Sequence, residues 1–135
     1  MNPGRPPERG QELVEFALTA ALLILLVMGI VDLGRATYAY SLLHNSAREG
    51  ARYGVINYND TDGIKTTVVN RALGLGLTPA DVTVQLLDVY ANVPNEDTIR
   101  VGTTYQFNII TPVIGAFFGS NQVTLSTEAT MRLEK

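Results

Sequence analysis

The chain has 135 residues, a formal net charge of −3, no cysteine and a single histidine, His44. This balance gives no electrostatic footing on nucleic acid, and it excludes a disulfide framework and any cysteine-rich metal site. The length suffices for an anchor and one small domain, and the hydrophobic share of 46% is uneven, with much of it between Leu13 and Val31.

The first predicted element is that apolar run. Phe16 to Val31 is 16 residues without a charge, about 24 Å of helix at about 1.5 Å per residue, against a hydrocarbon core of about 30 Å. Extending back to Leu13 gives 19 residues, at the edge of spanning length. The run ends in "GIVDLGR", which lacks the small-residue cleavage site of a secretory signal. A core helix apolar on every face needs a larger protein around it. A membrane helix is therefore expected. Arg5 and Arg9 precede it, and Arg35, Arg48 and Arg52 follow, so the basic residues do not set its orientation. Too few residues precede the run to form a domain, whereas those after it suffice. The expected topology is a short cytoplasmic N-terminus and an exported C-terminal domain. Within the run, Ala17 and Ala21 stand four apart with Ala20 beside them. Small residues at this spacing let helix backbones approach closely in lipid, although plain membrane filler reads the same way. From the residues alone, Glu12 and Glu15 are first-turn acids favoured by the helix dipole.

No proline interrupts the chain from Asp32 to Tyr53. Ala36, Ala39, Leu42, Leu43, Ala47, Gly50, Ala51 and Gly54 recur at three- and four-residue spacing, which predicts one helix from about residue 12 to 53 with an amphipathic second half. Asp32 and Arg35 read either as an exposed pair of small value or as a bridge between subunits. Tyr38 and Tyr40 fall where interfacial aromatics belong. Gly50 costs a helix about 1 kcal/mol relative to alanine, so close contact with a sheet is expected there. Gly54 reads as a left-handed stop. Arg48 and Arg52 share a face, and either reach carboxylates of the head or of a neighbouring chain or form a solvated basic patch.

The remainder predicts a small α+β head. "NYNDTDG" is a loop in which Thr61 or Asp62 caps a helix from about Ile64 to Leu75; Asn59 fits the N-glycosylation pattern, and the loop lacks most of a calcium-ligand pattern. Strands are expected over Asp81–Tyr90, over "TIRVGTTYQFNII" with Ile99, Val101, Tyr105, Phe107 and Ile109 on one face, and over "QVTLSTEATMRLE" with Val123, Leu125, Met131 and Leu133 on one face. Three alternating strands predict an antiparallel sheet with one wet face, its dry face against the helix beyond Asp32. Between the last two lies "TPVIGAFFGS", an apolar loop with Phe117 and Phe118. It covers the sheet end, docks on a neighbouring subunit, or dips into lipid. No catalytic constellation, cofactor or metal cluster stands out, and an enzyme is not expected.

The stretch "GQELVEFALTAALLILLVMGIVDLGRATYAY" together with "NSAREGARYGV" resembles the TadE-like pilins, within the type IV pilin precursors. The resemblance covers about the first 55 residues. It implies a leader of residues 1–10, cleavage by a prepilin peptidase between Gly10 and Gln11, a helix over 11–54, and an exported head over 55–135. Glu15 then becomes residue five of the processed chain. Residues one and five of a helix share a face, so the Gln11 α-amine freed by cleavage can pair with Glu15, within the chain or across subunits. The implied partners are other copies of itself or related pilins, the peptidase, the membrane and an assembly platform. The implied course runs from the cytoplasmic membrane to a surface filament. The competing reading is a membrane-anchored accessory module that never polymerises.

Overall fold

A computed structural model describes residues 9–88 and 97–133. Residues 1–8 of the expected leader, Arg5 among them, lie outside the described residues, as do the strand end at Tyr90 and most of the expected turn, 89–96. Among the described residues the elements are α1 (Arg9–Ile56), α2 (Thr61–Arg71), β1 (Val82–Asp88), β2 (Asp97–Asn108), α3 (Pro112–Phe118) and β3 (Gln122–Arg132), with a 3-10 turn at Pro79–Asp81. The strands form one antiparallel sheet in the order β1-β2-β3.

α1 is one helix of 48 residues, about 72 Å long at about 1.5 Å per residue, and it lives in two environments. From Ala39 onward its small-residue stripe is buried: Ala39, Leu43, Ala47, Gly50, Ala51 and Gly54 face α2 and the sheet. The core they close contains Ile64 and Val68 from α2, Val82 from β1, Ile99 and Val101 from β2, and Ala129 and Leu133 beside them. A second small cluster joins Leu43 to Ala72 and Leu77, flanked by Tyr105 and Leu125. The sheet alternates as its sequence requires: Val101 stands opposite both Val84 and Ala129, Phe107 opposite Val123, while Thr124, Ser126, Glu128, Thr130 and Arg132 face outward.

Gly50 and Gly54 set the distance between α1 and its neighbours. A Cβ at Gly50 would collide with Val68 of α2 and touch Val101 of β2 at 3.4 Å; one at Gly54 would collide with Ile99 and meet Ile64 at 3.1 Å. The expected close approach to the sheet is present, and α2 takes the larger share of it at Gly50. Gly54 is not a helix stop. It lies inside α1, and among the described residues the left-handed glycines are Gly74, Gly76 and Gly119. Packing against Ile99 and Ile64 holds the last turn in helical form where glycine alone would end it.

Two local predictions change. α2 is capped by Asp60, whose carboxylate accepts the Gly63 amide at 2.9 Å and the Tyr53 hydroxyl at 3.0 Å, so the helix starts earlier than Ile64 and ends at Arg71. The apolar "loop" after β2 is the helix α3. Pro112 occupies its first turn, and Gly119 closes it at φ 69, the asymmetry that proline and glycine impose on helix ends.

Gly50→Val is expected to lower the unfolding free energy by about 2 kcal/mol through overpacking against Val68. Gly34→Ala, where nothing lies within 4 Å of the added carbon, is expected to raise it by up to about 1 kcal/mol. Urea unfolding of the full chain in detergent, followed by tyrosine emission, separates the two.

Candidate functional site

The residues singled out by sequence fall into two groups along α1. The first is its uncovered half. Gly10, Gln11, Glu15, Ala17 and Ala21 are all exposed, and none of the most apolar stretch of the helix is buried in the protein. Among the described residues, Leu13, Val14, Phe16, Leu18, Leu22, Leu23, Ile24, Leu26, Val27, Ile30 and Val31 are exposed. Burying such a side chain is worth about 1.5–3 kcal/mol. Eleven of them together are worth on the order of 15–30 kcal/mol, more than the whole stability of a small domain, about 5–15 kcal/mol. The helix is long and apolar enough to cross a membrane, and water is a poor solvent for so large an apolar surface. Near its start the Thr19 hydroxyl donates to the Glu15 backbone carbonyl at 2.9 Å, and Glu15 itself is exposed. Gln11 is an internal residue of this chain, so the ammonium assigned to pair with Glu15 exists only after cleavage.

The second group stands where the apolar run ends. Asp32 is 5% exposed, which sequence spacing did not anticipate. Its carboxylate accepts the Thr111 amide at 2.8 Å and the Ile110 amide at 3.1 Å, and Arg35 donates to it at 3.1 Å. The expected exposed i,i+3 pair is thus half of a clamp between α1 and the chain entering α3. Arg35 extends the clamp: its guanidinium lies 5.1 Å from the centre of the Phe107 ring and reaches the Asn108 carbonyl at 3.4 Å. Burial acts to raise the Asp32 pKa. The Thr111 and Ile110 amides and the Arg35 charge hold the carboxyl below its ordinary value despite it. The Thr111 hydroxyl itself has no hydrogen-bond partner among the described residues.

The other predicted positions are scattered. Arg48 and Arg52 are exposed, and among the described residues neither forms an ion pair; the acid beside them, Glu49, pairs with Arg71 of α2 at 3.7 Å. Phe117 is 86% exposed on α3, and the Phe118 side chain lies outside the described residues. His44 meets the Thr127 hydroxyl at 3.1 Å and helps seat α1 on β3. The partners of Asp32 escaped the sequence reading because they are backbone amides 78 and 79 residues away. The available signal was an acid ending an apolar run.

Residues 10–52 match the family model described as TadE-like protein; no curated protein and no solved structure matches the chain. The match begins at Gly10, runs through the uncovered half of α1 and the Asp32 clamp, and ends before the head's sheet.

Asp32→Ala is expected to leave two amides without an acceptor and to cost about 2 kcal/mol. Hydrogen exchange at Ile110 and Thr111 should then accelerate about 30-fold if these amides exchange by local opening. The folded pKa lies below the ordinary 3.8, so the carboxylate's contribution is complete above that value and lost as pH falls through the folded one. Asp32→Asn should remove this acid limb from the pH dependence of exchange at Thr111.

Proposed function

On the premise that residues 10–52 form a TadE-like segment, we propose that the chain is a pilin-type subunit. α1 inserts in the cytoplasmic membrane with the head outside. A prepilin peptidase cuts between Gly10 and Gln11, and an assembly platform packs the freed helix among copies of itself or related pilins in a surface filament. One observation carries this reading: the family match takes in a helix half whose apolar side chains find no cover among the described residues. Lipid covers such a rod before assembly, and neighbouring rods cover it afterwards.

Glu15 is the residue that couples the two states. In the bilayer it sits about one turn inside the helix start, near the interface, where a carboxylate costs far less than at the centre. Among packed helices an uncompensated carboxylate costs several kcal/mol. Cleavage supplies the compensating ammonium at Gln11, one helical turn away. Ala17 and Ala21 then permit close backbone approach. Asp32 and Arg35 act in this scheme within the chain, by fixing the head to the rod, rather than as a bridge between subunits.

Mass spectrometry of the exported protein should find Gln11 as the first residue. Glu15→Ala and Glu15→Gln should both be inserted and cleaved normally, yet yield filaments at less than about a tenth of the wild-type amount, the effect of losing more than about 1.4 kcal/mol per subunit contact. Normal filaments from either variant would remove the pairing argument. A protein still beginning at Met1 would favour the non-polymerising anchor.

A further inference from the structure

We propose that α3, with the uncharged end of the β2–β3 hairpin, is a foot that rests in the bilayer interface and takes lipid acyl chains into the groove that this end forms with α1. This inference rests on the membrane anchoring of α1 proposed above, and three observations carry it.

The first is depth. The Asp32 carboxylate clamps Ile110 and Thr111 to α1 at the end of the apolar run. Ile114 of α3 then lies against α1 at Gly29, where an added Cβ would touch its Cδ1 at 3.4 Å. Gly29 precedes Asp32 by three residues, about 4.5 Å back along the helix at about 1.5 Å per residue. α3 therefore flanks the last turn of the apolar run. A layer that surrounds residues 29–31 of a single inserted chain also reaches α3.

The second is composition. From Val101 to Thr127, 27 consecutive residues carry no charge. The antiparallel register places the charged positions Arg100, Glu128 and Arg132 toward the opposite end of the sheet, and it places Asn108 opposite Gln122 beside α3. The end of the hairpin nearest the apolar run carries no ionised side chain, which lowers the cost of settling below the phosphates.

The third is exposed apolar surface. Phe117 is 86% exposed, Ile110 56% and Val113 55%. Between α1 and the end of the β2–β3 hairpin runs a groove of about 520 Å³, lined by Leu26, Ile30 and Leu33 of α1, Phe107 of β2, Leu125 of β3 and, from α3, Ile114. The groove joins α3 to the lipid-facing side of α1 in one apolar surface. A short apolar segment lying in the interface plane gains stability in proportion to the apolar area it buries there. Arg35, one turn beyond Asp32, keeps its side chain 44% exposed at the level where a cation meets lipid phosphates.

The chain has no tryptophan, so a single introduced indole reports its own surroundings. The full chain carrying Phe117→Trp is reconstituted in phosphatidylcholine–phosphatidylglycerol vesicles whose acyl chains bear bromine either near the headgroup or near the chain end. Leu23→Trp reports the span, and Thr130→Trp reports the far end of the sheet. The expected result is that the indole at 117 loses most of its emission to shallow bromine and little to deep bromine. The one at 23 loses most to deep bromine, and the one at 130 is unquenched. Quenching at 23 without quenching at 117 overturns the foot and leaves the anchor standing. No quenching at either overturns both. A blue-shifted, unquenched indole at 117 overturns the foot in favour of cover by a second copy. Shallow quenching at 117 and 130 alike overturns it in favour of a head lying flat on the membrane.

Discussion

The buried carboxylate of Asp32 joins the two parts of this molecule. α1 has an apolar half left uncovered by the described residues and a second half wedged into a small head, and a rod of this kind needs a fixed point at which one regime gives way to the other. Asp32 provides it by accepting amides from the segment that leads into α3 and by holding Arg35 against Phe107. A carboxylate so placed is stable because several donors converge on it; burial alone would favour its neutral form. The consequence is mechanical as well as electrostatic. The end of the sheet is tied to one level of the helix, and α3 is held beside the last apolar turn.

Beyond that point, the packing of the head depends on the absence of side chains. Gly50 and Gly54 remove the atoms that would hold α2 and β2 away from α1, and Ala47 and Ala51 continue the same flat stripe. The helix-propensity cost of two glycines is offset by the contacts that Val68, Ile64, Ile99 and Val101 make in the space left free. Stiffness then passes from the head to the rod, because the same continuous helix belongs to both.

These two features give physical content to the TadE-like reading of residues 10–52. A subunit that must be stored in lipid and later packed among its copies needs an apolar surface that its own head leaves bare, a head that does not swing on its stalk, and a charge near the tip that is tolerable in both states. On the function proposed above, the uncovered half of α1, the Asp32 clamp with the glycine stripe, and Glu15 would answer these needs in turn.

Much of this was legible in the chain itself. The apolar run, the unbroken helix from about residue 12 to 53, the strand alternation and the close approach at Gly50 all follow from local periodicity and side-chain size, which act over a few residues. The Pro112 and Gly119 signals for α3 were also present, but the apolar content between them read as a loop. Tertiary structure alone decided the rest. It turned Asp32 and Arg35 from an ordinary surface pair into a clamp, carried α1 past Gly54, and moved the cap of α2 to Asp60, where Tyr53 of α1 adds a second hydrogen bond. Each of these outcomes depends on groups brought together by the fold, and a linear pattern does not record which distant backbone amide a carboxylate will meet.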